Sequence, residues 1–419
     1  MVGNLLVALA LFSGEFDVQA TAFVETRAGE APILAGFEPE PFVAAIVTAT
    51  GTLVYQEPGL SLRLSYTPRV YWAHPNVLES DAPLLLHTVD LLIADRRTKR
   101  FSLQADVAGS IGQADYATVA QLVGSTTQVQ GSVPPITNIA STTGTITTRT
   151  ALTRRWELDL DGRLFYWKAL DLNTATALAE FAITEQKSAT EQATALFQLT
   201  PRNALGFGAE ASQASYSSGV DVYTVGPTVT WKVHLTPLDD LKLLAGVEYV
   251  RATGPTIPGT APLLGPSGQA VSPVGGFELV SRVMRKDDVL ILATAAAGVD
   301  YYVDPVIQTA SPRAQAGLGI TGIMLPDWLA TVRGDFVTAL RTTPLTVTAA
   351  GGFIPDETVA SLTLAVQRRL SIGFFLEIGG VWAERAPAFV TPGFQFDQRQ
   401  LWAFARLSWM SHPLPRQIH

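Results

Sequence analysis

The feature that most constrains this chain is an alternation of period two. In LSLRLSYTPRVYW (residues 60–72), Leu60, Leu62, Leu64, Tyr66, Val70 and Trp72 fall on one face of an extended strand, and Ser61, Arg63, Ser65, Thr67, Arg69 and Tyr71 on the other. WELDLDGRLFYW (156–167) repeats the pattern, with Trp156, Leu158, Leu160 and Leu164 against Glu157, Asp159, Asp161 and Arg163, and so does VGPTVTWKVHL (225–235), with Val229 and Trp231 against Thr230 and Lys232. Such strands bury an apolar face in a core or turn it to lipid, and composition separates the two. The chain is 47% hydrophobic and 16% charged, where an ordinary soluble domain carries roughly 25% charged residues. Its mean hydropathy is +0.23. The longest apolar runs, LLVALALF (5–12) and VLILATAAAGV (289–299), fall short of the about 20 residues a membrane-spanning helix needs. A closed β-barrel is the remaining way to satisfy every backbone N–H and C=O in a bilayer.

The connections strengthen that reading. Short turns are expected at EPG (57–59), RRTKR (96–100), TRR (153–155), TPRN (200–203), TPLDD (236–240), RKDD (285–288), LPDW (325–328) and QRR (367–369). Between them fall longer connections at 30–41, 74–82, 113–142, 171–185, 254–272, 341–356 and 386–395, and two tight ones near 216–220 and 302–308. Eight short and nine outer connections imply eighteen strands. The expected fold is therefore all-β: a single 18-stranded antiparallel transmembrane β-barrel with short periplasmic turns and longer extracellular loops. Arg and Lys crowd the short turns, while 114–144 holds one acid and no base, a composition that suits a mobile or lumen-folded loop.

Residues 1–13, around LLVALALF, are expected to be a signal peptide cleaved after Ala10, near Ser13 or as late as Ala20, followed by the barrel over 14–410 and a short periplasmic tail over 411–419. The chain has no cysteine, so disulfides and thiolate metal sites are excluded, and a net charge of −8 argues against a nucleic-acid partner. The five histidines, His74, His87, His234, His412 and His419, have no metal-ligand spacing, and no catalytic or nucleotide-binding motif occurs. No metal, cofactor or enzymatic activity is expected. Asp159 and Asp161 stand i, i+2 on one face, about 6 to 7 Å apart, and are read as pore wall in preference to an acid/base pair.

The polar faces give the expected pore lining: Arg63, Arg69, Tyr71, Asp106, Glu157, Asp159, Asp161, Arg163, Lys232, Glu248, Glu278, Arg282, Arg333, Asp335, Glu377 and Arg406. Neither sign dominates. With Tyr71, Trp167, Phe375 and Trp402 among the charges, such a wall suits a neutral, hydroxyl-rich solute that hydrogen-bonds and stacks, or it holds a water-filled wall together by pairing across strands. Arg96, Arg97, Lys99 and Arg100, in the most basic short turn, are where a periplasmic partner would dock.

The last strand, QLWAFARLSW, sets Leu401, Ala403, Ala405, Leu407 and Trp409 on one face. An alternating final strand closing on an aromatic resembles the recognition signal of bacterial outer-membrane barrel proteins, although here SHPLPRQIH (411–419) follows the aromatic. That resemblance implies a Gram-negative outer membrane, surrounding lipid and the barrel assembly machinery as partners. A barrel of eighteen strands with no plug sequence also resembles the barrel component of composite exopolysaccharide-export translocons. It implies export of a carbohydrate polymer with a separate periplasmic export protein. A general or sugar-uptake porin and a hydrolase at the barrel rim are the other functions such a chain would serve.

Overall fold

The computed structural model describes residues 15–31, 40–74, 83–115, 136–171, 185–217, 219, 221–253, 269–286, 289–304, 309–324, 327–339, 358–386, 390–391, 394–395 and 398–411. Residues 1–13 of the proposed signal segment and all of the tail but Ser411 lie outside these residues, whereas 15–20, within the latest expected end of that segment, belong to the first strand. The strands are β1 (Glu15–Ala31), β2 (Glu40–Glu57), β3 (Leu60–His74), β4 (Leu84–Asp95), β5 (Phe101–Asp115), β6 (Ile136–Ala151), β7 (Trp156–Asp171), β8 (Glu185–Thr200) and β9 (Asn203–Tyr216). They continue with β10 (Asp221–Thr236), β11 (Asp239–Thr253), β12 (Gln269–Lys286), β13 (Val289–Asp304), β14 (Thr309–Met324), β15 (Trp328–Ala339), β16 (Thr358–Ser371) and β17 (Phe374–Ala386). A two-residue hairpin, β18 (Val390–Thr391) with β19 (Phe394–Gln395), precedes the last strand, β20 (Gln398–Met410).

Apart from that hairpin, every strand pairs antiparallel with its neighbours in sequence, and β20 pairs with both β17 and β1. The register Glu25↔Arg406 and Ala22↔Trp409 closes the sheet on itself, giving an 18-stranded antiparallel barrel with no free edge. The seam is extended past β20: the Ala20 amide donates to Ser411 Oγ at 2.8 Å, and the Ser411 amide to the Ala20 carbonyl.

Two to five residues join the strands at one end of the barrel, and four to twenty at the other, so the alternation of short and long connections holds all the way round. One expected turn is misplaced. QRR (367–369) belongs to β16, and the chain reverses at Ile372–Gly373, where Gly373 has φ +82°, a left-handed conformation that only glycine adopts freely. Arg368 instead lies on the outer face, its guanidinium 5.0 Å from the Trp328 ring. The 113–142 connection is shorter than expected, because β5 runs to Asp115 and β6 begins at Ile136; residues 116–135, where a constriction would form, lie outside the described residues.

One face of the sheet carries large apolar side chains in the open. Leu64, Val89, Val107, Leu164, Phe207, Val229, Ile320, Leu364, Ile378 and Leu407 are all exposed. This is the convex face, because Asp159 of β7 and Lys232 of β10 meet at 3.5 Å on the other one with two strands between them, which only the concave side permits. A row of aromatics marks the short-turn border of the apolar face: Trp156 packs tilted against Phe197 and Phe16 against Tyr55, each pair with ring centroids 4.9 Å apart, and Phe101, Trp231, Phe374 and Trp409 lie toward the same strand ends. Trp72, Tyr166, Tyr223 and Tyr249 stand nearer the other border. An exposed apolar band between two aromatic girdles defines a membrane-spanning β-barrel.

Glu191 breaks the outer band. It is exposed on β8 between Gly162 and Ala211 of the adjacent strands, six residues from the girdle residue Phe197 and four from Lys187, which lies over the Tyr166 ring. That places its carboxylate about 13 Å along the strand from the nearer border, inside the hydrocarbon. Replacing Glu191 with Leu is expected to stabilise the folded barrel in lipid by about 1 kcal/mol, below the roughly 2 to 4 kcal/mol known for basic side chains at the midplane. Leu164→Arg is expected to cost roughly 2 to 4 kcal/mol, while Thr145→Arg, on the inner face between Asp106 and Arg163, is expected to cost little. Urea titrations of the folded barrel in vesicles measure all three.

Candidate functional site: the lumen wall

All sixteen residues expected to line the pore fall on the concave face. Register connects them strand to strand. Arg63 faces Leu92, which faces Asp106; Arg69 and Tyr71 face Leu86 and Leu84; Glu248 faces Ser272; and Glu278 lies between Lys242 and Ala296. Arg282 shares the inner parity of β12 just before its bulge, and Arg333 and Asp335 share that of β15.

Several of these residues are brought together. Asp159 is the acid of a three-membered cluster: Arg149 Nε donates to it at 3.2 Å, and Lys232 Nζ approaches at 3.5 Å. Arg149 also reaches Glu157 at 2.9 Å, and Asp161 accepts from Thr147 at 2.8 Å. The Asp159/Asp161 pair thus meets cationic and hydroxyl donors from neighbouring strands. At the seam, Arg406 Nε donates to Glu25 at 2.6 Å and its Nη1 to Glu377 at 3.1 Å, while Arg27 holds the other oxygen of Glu25. Glu25 is 1% exposed, so a charge that deep is sustained by two guanidinium partners. Arg333 grips Asp335 at 2.8 Å and Arg313 grips Asp300 through two donors at 2.9 and 2.6 Å; Arg63 stands 3.6 Å from Asp90. Arg69 lies 6.0 Å from the Tyr71 ring.

Sequence reasoning missed Glu25, Arg27, Asp90, Arg149, Glu210, Lys242, Asp300, Arg313 and Arg369. With them included, the charges are mixed in total but not in space. From β4 to β13 acids outnumber bases, with Asp90, Asp106, Glu157, Asp161, Glu210, Glu248 and Glu278 on that arc. From β14 through β20 and β1 to β3 bases outnumber acids, with Arg313, Arg333, Arg369, Arg406, Arg27, Arg63 and Arg69. The lumen therefore carries a transverse field, from a basic half-wall to an acidic one.

Hydroxyl groups fill the arc between β2 and β6. Thr50 bonds Thr67 at 2.9 Å, Thr52 bonds Ser65 at 3.1 Å, and Thr88 bonds Ser110 at 2.8 Å, while Ser141, Thr143, Thr145 and Thr147 continue along β6. On the β8–β10 arc small residues take over. A Cβ on Gly206 would come within 2.8 Å of Leu196 Cδ2, and one on Gly208 within 2.7 Å of the Ala193 carbonyl, so glycine keeps this stretch of wall thin. Toward the long-loop end the inner face becomes apolar and buried, with Ile46, Leu84, Leu86, Ile139, Trp167 and Val250 each under a tenth exposed. The exposed inner charges, Arg63, Arg149, Lys232 and Arg333, belong to the short-turn half.

Arg96, Arg97, Lys99 and Arg100 form the β4/β5 turn. Arg97 donates to Asp95 at 2.6 Å and lies 3.9 Å from Glu57, and the Asp95 carboxylate pushes its pKa above the ordinary guanidinium value. All four are exposed. Among the described residues no group of three His, Asp or Glu side chains is placed to hold a metal ion. His234 bonds Asp240 near the short-turn rim, and His87 bonds Tyr66 on the outer face.

No family model and no curated protein matches the chain. Similar solved structures include a bacterial polysaccharide outer membrane secretin (10% identity, 93% of this chain and 97% of that one, TM-score 0.33). OccAB1 of Acinetobacter baumannii (9% identity, 94% and 97%, TM-score 0.44) and the ferric enterobactin receptor PfeA of Pseudomonas aeruginosa, as an R480A/Q482A mutant (9% identity, 94% and 80%, TM-score 0.47), are similar to the same degree. At these TM-scores the likenesses carry no argument about function.

The Asp159 cluster yields a direct test. Asp159→Asn leaves Arg149 and Lys232 facing each other without their shared acid, so single-channel recordings are expected to show cation selectivity falling while the barrel stays folded. Lys232→Gln is expected to shift selectivity the other way.

Proposed function

We propose that this chain is an outer-membrane channel of a Gram-negative envelope that passes a carbohydrate polymer outward, with a separate periplasmic export protein meeting its short-turn end. The observation that carries the reading is the hydroxyl-lined arc of β2–β6, with Thr50/Thr67, Thr52/Ser65 and Thr88/Ser110 paired across strands. Hydroxyls that donate and accept in turn exchange partners with a passing sugar at small cost, and Tyr71, Phe375 and Trp402 on the same inner face offer rings for sugar faces to stack on. The short turns are taken as periplasmic and the long connections as extracellular, the usual layout of outer-membrane barrels. In this reading β20, closing on Trp409, is the strand that the barrel assembly machinery engages, and the exposed apolar band is covered by outer-membrane lipid. The inner-face charges serve as pore lining in this reading.

The transverse field favours a second reading, a sugar-uptake porin, because opposed half-walls orient small dipolar solutes. Deleting the gene separates the two. Export predicts loss of a surface polysaccharide with small-solute uptake unchanged, whereas slowed sugar uptake with normal surface polysaccharide would sink it and promote the porin. For sidedness, Cys at Gln128 is expected to react with a membrane-impermeant thiol reagent on intact cells and Cys at Thr98 only after the outer membrane is opened. Labelling of Thr98 in intact cells would invert the topology.

A further inference from the structure

The short-turn rim is polarised in a way that pore chemistry does not use. Three consecutive turns, β4/β5, β6/β7 and β8/β9, carry Arg96, Arg97, Lys99, Arg100, Arg154, Arg155 and Arg202, and all seven are exposed. Only Arg97 has acidic partners, Asp95 and Glu57; the other six have no ion pair among the described residues. The next short turn, β10/β11, carries acids instead, Asp239 and Asp240, and Asp327 stands at β14/β15.

Two observations fix what the basic arc meets. First, its backbone is tied at one level. The carbonyls of Arg100, Arg155 and Arg202 accept from the amides of Ala151, Gln198 and His234 at 2.7, 2.8 and 2.9 Å, so each turn is locked to the next strand around the barrel. Second, that level is the membrane border. Arg100 directly precedes Phe101 and Arg155 directly precedes Trp156, both outward girdle residues, and Leu152 and Leu199 stand among the cations at 55% and 51% exposure. A row of cations without ion pairs, next in the chain to girdle aromatics and with leucines exposed between them, matches the depth of lipid headgroups, where the rings rest in the interface and the charges meet phosphate.

We propose that this arc is an anionic-phospholipid site: Arg96, Lys99, Arg100, Arg154, Arg155 and Arg202 hold the headgroups of phosphatidylglycerol-class lipids in the leaflet at the short-turn end. The inference needs only the membrane-spanning barrel and not the solute it passes. The partner is lipid in preference to an acidic protein because the cations lie at the girdle and not on a surface projecting beyond it.

The test places the folded full-length barrel in phosphatidylcholine nanodiscs containing a minor amount of spin-labelled phosphatidylglycerol or, separately, spin-labelled phosphatidylcholine, and measures the motionally restricted fraction. The expected result is an enrichment of the anionic lipid by about fivefold or more at low salt, the equivalent of one basic side chain at about 1 kcal/mol, shrinking as salt is raised. Changing the six residues together to Gln is expected to abolish the preference, and changing them to Lys to preserve it, which guards against a folding defect in the Gln variant. Equal restriction of the two lipids by the wild-type barrel, or a preference that survives in the folded Gln variant, would overturn the proposal. So would equal restriction accompanied by cross-links from Lys99 to a periplasmic protein in cells.

Discussion

The constraint on which everything else rests is that hydrocarbon offers no partner to a backbone amide or carbonyl. Each unpaired group costs several kcal/mol there, so a sheet in a bilayer has to end where it begins. The pairing of β20 with β1 over Thr21–Glu30 is the joint that meets this demand, and the Ala20–Ser411 bonds carry it one residue past the last strand. Once the ladder is closed, side chains have only two environments, and alternation assigns them. A slip of one residue in register would send Arg63, Asp159 and Arg406 into lipid and Leu64, Leu160 and Leu407 into the lumen, which is why the apolar band protects the register of the whole barrel.

Within the lumen, ion pairing does for charges what the ladder does for the backbone. Glu25 between Arg27 and Arg406, Asp159 between Arg149 and Lys232, and Asp300 against Arg313 tie adjacent or next-but-two strands together on the concave side. The pairs are local, but the surplus is not. Acids remain in excess on one half-wall and bases on the other, so a wall that is nearly balanced in sum is polarised in space.

The strand count, the alternation of short and long connections and the inner face of β3, β7, β10 and β20 were legible in the sequence because those strands alternate cleanly. QRR was misread because the true turns are rich in Arg; the decisive signal was Gly373, two residues beyond Ser371, and Ile372 looked like the start of a strand. Arg149 and Glu210 were missed for a different reason. β6 reads ITNIASTTGTITTRTA and β8 and β9 are rich in Ala, Gly, Ser and Gln, so small and hydroxylated residues occupy both faces and the period fades. Glu191 is the same effect reversed, a carboxylate on the outer face of a strand with no strong alternation. The separation of charge between half-walls was not legible at all, since it depends on which strands lie opposite each other around a closed ring.

The measurement that tests this account most directly is a nitroxide scan along β7, from Trp156 to Trp167, in lipid vesicles. Accessibility to dissolved oxygen is predicted to peak at Leu158, Leu160, Gly162 and Leu164, and accessibility to a water-soluble nickel chelate at Glu157, Asp159, Asp161 and Arg163, the two oscillating with period two and opposite phase. If the two reagents rise and fall together, or if both reach every position equally, then the strand does not divide lipid from water and the barrel described here is not the state of the protein in a membrane.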